Sequence, residues 1–192
     1  MDNRLLRTFV AVTVPTALLD VRNMLRTTVQ HKKDNLKWVQ NGQIHLTLKF
    51  IGYTPPDGIS AIHDTLANVS KKHSAMGFEI ATTGCFPVST RPRILWVGLQ
   101  GDEEPLVQLV RDINNALDPL GYPADEKQFI PHITLARIKY PPKQTPDITQ
   151  YLHAQFEPIP FFVNKFILMS SELRTTGAVY SSIHEYNLLN QV

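Results

Sequence analysis

The chain has a single cysteine, Cys85, in 192 residues. One thiol excludes an internal disulfide framework and any cage of cysteines around a metal, and Cys85 reads as a small buried hydrophobe. An excess of one charge is also missing, with 19 Lys and Arg against 17 Asp and Glu. That balance argues against a broad cationic nucleic-acid footprint but leaves room for a small anionic site. Long apolar runs are absent. The first one stops at Pro15, too short and too polar-flanked for a signal peptide or a membrane span, so the cytoplasm is the expected location and no membrane partner is expected. A Gly-x-x-x-x-Gly-Lys phosphate loop and a Gly-x-Ser-x-Gly elbow are lacking too, which counts against nucleoside triphosphate hydrolysis and a Ser-His-Asp hydrolase. What remains is 43% apolar and 19% charged, an ordinary globular composition with enough chain for a real core.

Within it, one pattern occurs twice. Ile44-His45-Leu46-Thr47-Leu48-Lys49-Phe50 is answered by Ile130-Pro131-His132-Ile133-Thr134-Leu135-Ala136-Arg137, with the histidines 87 residues apart (132 − 45). Each copy alternates polar and apolar residues, the period of a half-buried strand. His45 and Thr47 share one face, as do His132 and Thr134, with leucine and isoleucine behind. Two equivalent strands that offer an imidazole and a hydroxyl to one cleft are the expectation.

The surroundings repeat as well. Thr8 to Val14 is rich in β-branched residues and reads as a strand. Leu18, Val21, Leu25 and Val29 give an amphipathic helix, ended by the polar stretch His31 to Asn35. Leu36 to Val39 is a short strand before the Asn41-Gly42 turn and the first motif. Pro55 to Gly58 breaks the chain ahead of a helix carrying Ile59, Ile62, Leu66 and Val69. Met76 to Thr83 alternates as a strand, and Gly84 to Pro92 reads as a loop. The order then restarts: strand Ile94 to Leu99, a helix from Asp102 with acidic residues in its first turn, and the second motif. After Pro141-Pro142, a short helix around Ile148 to His153, a strand from Phe161 to Met169 and another from Val179 to Tyr186 are expected. The predicted fold is α+β, bilobal by pseudo-twofold duplication, with antiparallel sheets lining a central cleft and helices outside. The repeat halves span roughly 5–84 and 93–170 of a single domain over 1–192, completed by the C-terminal strand. The state expected by default is a monomer.

Paired histidines suit two proton transfers near neutral pH, since the free imidazole titrates at about 6.5. One can take a proton from water while the other gives one to a departing oxygen, each for roughly 10² to 10⁴ in rate. Threonine hydroxyls on the same face can donate to phosphoryl oxygens where charge builds up. A single His-x-Thr strand is more often a core feature; the duplication carries the chemical reading. Zinc is a rival for His45 and His132, but no third ligand is evident. His31, His63, His73, His153 and His184 fall in unrelated contexts, the first two as helix-associated surface residues, and all five read as non-catalytic.

The paired motifs resemble the signatures of the two-histidine phosphoesterases, and within them those of the RNA 2′,3′-cyclic phosphodiesterases once called 2′-5′ RNA ligases. The likeness extends through Phe9-Val10-Ala11-Val12, Arg93 to Leu99, Phe129-Ile130-Pro131-His132, and Ser170 to Leu173 followed by Gly177 and Tyr180. It implies a cleft between lobes, no cofactor and no metal, and opening of a 2′,3′-cyclic phosphate at an RNA 3′ end, or in a nucleoside, to leave a 2′-phosphate. It makes His45 the general acid and His132 the general base, although pseudo-symmetry permits the reverse. Thr47 and Thr134 would hold phosphate oxygens, and Phe50 and Arg137 would flank the nucleobase. Strict alternation puts those last two on the face away from the histidines, so a bulge or the end of the strand is needed to turn them into the cleft. Lys49 lies on the histidine face by parity and reads as a solvated lysine. Arg91 and Arg93 read as solvated loop arginines, with RNA phosphates at the rim as the alternative. Two other activities stay open: 2′-5′ joining of RNA ends, and an RNA-end binding module without catalysis.

Overall fold

The computed structural model describes residues 5–29, 36–139, 145–175 and 177–190. The expected helix end at His31 to Asn35 and the Pro141-Pro142 break lie outside them. In chain order the elements are β1 (Leu6–Thr13), α1 (Leu18–Thr27), β2 (Leu36–Trp38), β3 (His45–Thr54), α2 (Ile59–Ser70), β4 (Met76–Phe86), β5 (Ile94–Gln100), α3 (Glu104–Leu117), β6 (His132–Ile138), α4 (Thr149–Leu152), β7 (Ile159–Val163), β8 (Lys165–Arg174) and β9 (Gly177–Asn187).

All pairings between these strands are antiparallel, in a single nine-stranded sheet of order β7-β4-β5-β6-β3-β1-β8-β9, with β2 beside β6. One sheet thus takes the place of the separate sheets expected. The two motif strands lie next to each other at its middle and touch at one pair, Leu46 opposite Ile133. On either side the order mirrors: β1 flanks β3 as β5 flanks β6, and β8 flanks β1 as β4 flanks β5. β4, from the first half of the sequence, therefore packs in the second half of the sheet, and β8 does the converse.

The stretch from Phe161 to Met169 is not one strand. Alternating burial of Ile159, Phe161 and Val163 ends at Asn164, and the consecutive buried run Phe166-Ile167-Leu168 begins another strand. β7 pairs with β4 at one end of the sheet, whereas β8 pairs with β1 toward the other. A single residue joins them, so the ends of the sheet come close and the sheet must curl. The Ala75 amide donates to the Leu189 carbonyl at 2.7 Å across the same gap. β4 also outruns its predicted end, absorbing Gly84, Cys85 and Phe86 from the expected loop.

Helices flank the curled sheet, and one continuous core includes Leu18, Leu25, Ile62, Leu66, Leu106, Ile113, Leu46 and Ile133. Cys85 packs at its margin, half-buried. Among the described residues no helix is long and apolar enough to cross a membrane.

Candidate active site

The single β3–β6 contact sets the site. Antiparallel pairing of Leu46 with Ile133 brings His45 across from Thr134 and Thr47 across from His132, all four on the face opposite the buried pair. The two imidazoles are diagonal neighbours, whose backbones lie about 7–8 Å apart in such a ladder. Each motif meets the other copy's threonine. His45, Thr47 and Thr134 line an open cleft of about 180 Å³.

The first six positions of the two strands share one burial pattern: half-buried, buried, half-buried, buried, buried, exposed. Strict alternation would not give two buried residues in succession. The cause is a bulge in each copy. Val10 pairs with Lys49 and Ala11 with Thr47, so Leu48 is skipped; Leu95 pairs with Ala136 and Trp96 with Thr134, so Leu135 is skipped. Beyond each bulge the parity inverts. Arg137 thereby turns to the histidine face and lines the cleft, and Phe50 turns outward, 57% exposed. Antiparallel strands send the two sixth positions in opposite directions along the sheet, and of the two only Arg137 lines the cleft. Phe50 rests near Phe9, with ring centroids 6.3 Å apart, and does not line the cleft.

The same inversion corrects the expectation for Lys49. Its side chain is 1% exposed, with Nζ donating to Asn114 Oδ1 at 2.6 Å and to the Pro123 carbonyl at 2.7 Å. Burial lowers its pKa, and the carboxylates of Asp125 and Asp118 oppose that shift. It is an internal tie between β3, α3 and the chain that leads into β6.

Both imidazoles are oriented in the same way. His45 Nδ1 lies 2.8 Å from the Gln43 carbonyl, and His132 Nδ1 lies 2.7 Å from the Ile130 carbonyl. A carbonyl only accepts, so Nδ1 carries the proton in each ring and Nε2 is left for chemistry. Aromatic rings brace them: Phe9 and Tyr180 against His45 at centroid distances of 5.0 and 5.4 Å, Phe86 and Trp96 against His132 at 4.9 and 6.3 Å. Trp96 is itself seated over Gly84, where a Cβ would collide with its indole ring; at Gly98 a Cβ would collide with the Thr82 hydroxyl and crowd the same ring. Tyr151 of α4 donates to the Trp96 carbonyl at 2.8 Å. Desolvation lowers the pKa of both histidines; the backbone hydrogen bond opposes this, and the Arg137 guanidinium adds to it. One cation thus acts on both rings.

Sequence reading missed the walls of this cleft. Lys37 and Trp38 of β2 enter with Val39 just after it, and Gln43, Ala178 and Tyr180 close another side. Gln43 Nε2 donates to the Ala178 carbonyl, tying β9 to the approach of β3. Gly177, the first residue of β9, has φ +128°, a conformation other residues resist. Gly177 and Tyr180 were visible as part of the resemblance, but their place against His45 was not. Arg91 and Arg93 do not line the cleft.

The remaining described histidines have partners of their own. His73 pairs with Asp112 at 2.9 Å, and His153 Nδ1 meets the Thr149 carbonyl at 2.8 Å. His63 and His184 are neighbours: their ring centroids lie 4.0 Å apart, tilted by 32°, beside Tyr186. His31 lies outside the described residues. Among the described residues no group of three or more His, Cys, Asp or Glu side chains could hold a metal ion.

Comparison with known proteins agrees with this architecture. Residues 25–175 match the family model of the 2′-5′ RNA ligase superfamily. The RNA 2′,3′-cyclic phosphodiesterase of Aquifex aeolicus is 30% identical over 189 residues, 96% of this chain and 98% of that protein. Its counterpart in Thermotoga maritima is 29% identical over 180 residues, 94% of each chain. The crystal structure of TT0787 of Thermus thermophilus superposes with a TM-score of 0.79 at 26% identity, covering 97% of this chain and all of that one. Apo LigT of E. coli shares the fold, with a TM-score of 0.73 at 19% identity over 97% and 99% of the two chains. The chain belongs to the 2′-5′ RNA ligase superfamily of two-histidine phosphoesterases and, within it, to the RNA 2′,3′-cyclic phosphodiesterase family.

Proposed function

We propose that the protein hydrolyses the 2′,3′-cyclic phosphate at an RNA 3′ end, leaving a 2′-phosphate, with His45 and His132 as its proton-transfer pair. The observation that carries this is the matched tethering of both Nδ1 atoms, which leaves each Nε2 free; His45 lines the cleft, and the β3–β6 register places His132 diagonally beside it. His132 Nε2 takes a proton from water as its oxygen bonds to phosphorus. The bond from phosphorus to O3′ breaks, and His45 Nε2–H protonates the leaving oxygen. Thr47 and Thr134 donate to the non-bridging oxygens. Arg137 offsets the charge that grows there, a role its influence on both imidazoles supports. Phe50, exposed at the far end, offers an aromatic face to a base. The two protons move between side chains and water, so the proposed cycle calls for no metal or cofactor.

A monomer is the default reading, and a lone cysteine fits a cytoplasmic enzyme. The matching bulges and mirrored strand order support a duplicated unit with sequence halves of roughly 5–84 and 93–170. Adenosine 2′,3′-cyclic phosphate incubated with the protein and a chelator tests the activity. Opening that depends on both histidines is expected; binding without turnover would leave an RNA-end binding module. Ligation assays with tRNA halves separate hydrolysis from joining, and net 2′-5′ product would reverse the assignment.

A further inference from the structure

β2 and β6 pair with Lys37 directly opposite Arg137. Residues so opposed project to one face with Cβ atoms about 4.5–5.5 Å apart, and like charges there destabilise a sheet. No carboxylate relieves the repulsion: among the described residues neither cation joins an ion pair. Both are exposed, and both line the cleft that holds His45 and Thr134. The backbone enforces the pairing. Trp38 sits opposite Ala136, the Val39 amide donates to the Leu135 carbonyl at 2.8 Å, and Arg22 of α1 donates to the Val39 carbonyl at 2.7 Å.

Two cations fixed side by side in an open cleft are stabilised by an anion between them. Along β6, Arg137 is three residues past Thr134 and, through the bulge, on the same face. The pair therefore sits one step out from the groups that would hold the cyclic phosphate. We propose that Lys37 and Arg137 form a second phosphate subsite, which takes the phosphodiester on the 5′ side of the terminal nucleotide and selects an RNA strand over a mononucleotide. This rests on the reading of the cleft as an RNA-end site. Arg137 stands between the two phosphates and Lys37 beside the outer one. Binding energy gained at the outer phosphate can then hold the terminal nucleotide in place for the chemistry.

The test compares adenosine 2′,3′-cyclic phosphate with the dinucleotide ApA bearing the same terminus, over a salt series. The wild-type protein should favour the dinucleotide in kcat/KM, with a log–log salt slope steeper by about 0.7. Lys37→Ala should cut that preference by about tenfold, as expected for one charge-assisted contact, and remove the extra slope; Lys37→Arg should keep both. An unchanged preference in Lys37→Ala would overturn the subsite. If the wild-type protein opens neither compound, the activity reading fails instead. Calorimetric Kd values for the corresponding mononucleotide and dinucleotide 2′-phosphates then judge the subsite by the same ratio, and equal effects of Lys37→Ala on both would reject it.

Discussion

At the scale of single residues, the site depends on two rings that burial and one guanidinium bias toward their neutral form. With both pKa values below the ordinary 6.5, the singly protonated pair is most populated on the acid side of that value. The bell-shaped kcat/KM profile, which reports the free enzyme, should therefore peak below about 6.5. Arg137 lowers both pKa values, because a nearby positive charge disfavours the imidazolium. Replacing it in Arg137→Met should move both limbs of the profile to higher pH while reducing its height. A profile that drops without moving would mean that the guanidinium acts on substrate alone. His45→Ala and His132→Ala should each lower kcat by roughly 10² to 10⁴, and the double variant by much less than the product; single-turnover rates on all three check this.

Lys49 belongs to the same scale but to stability. Its ammonium makes two internal hydrogen bonds from a site that is 1% exposed. Lys49→Met keeps the bulk and leaves the Asn114 and Pro123 acceptors unmatched, at a cost of about 1–3 kcal/mol. Urea unfolding measures that loss; an unchanged midpoint would show that the tie contributes nothing net.

At the scale of elements, the bulge decides where side chains point. Both copies of the motif could be read from alternation, and so could the need for a bulge or a strand end beyond them. The burial of Lys49 could not, because it depends on which residue of β3 the neighbouring strand skips. Lys37 escaped for a related reason: its significance lies in a partner a hundred residues away. The break at Asn164 escaped too, because the chain is apolar on both sides of it and only the burial pattern, alternating before and consecutive after, separates the two strands. Trp96 illustrates a dependence no pattern reveals, a large ring lying where Gly84 has no side chain. Gly84→Ala should force that ring aside and overpack the region at about 1–3 kcal/mol, and should lower kcat by loosening the support behind His132. Tryptophan fluorescence together with kcat reads both effects; full activity would show that His132 is held by its carbonyl alone.

Across the whole molecule, two strands from distant parts of the chain meet at one residue pair in the middle of a curled sheet. The crossing of β4 and β8 into opposite halves links the two sides, so neither motif strand is packed by its own half of the sequence alone. That arrangement brings each imidazole beside the other copy's threonine. It is also what lets β2 slip in along β6 once β3 has diverged. The central claim is that both rings act on one phosphorus atom. Phosphorus NMR of adenosine 2′,3′-cyclic phosphate, incubated with wild-type, His45→Ala and His132→Ala proteins in the presence of a chelator, tests it directly. Conversion to the 2′-phosphate by the wild-type protein, and its near loss in both variants, is the predicted result. A 3′-phosphate product, or undiminished turnover in either variant, would contradict it.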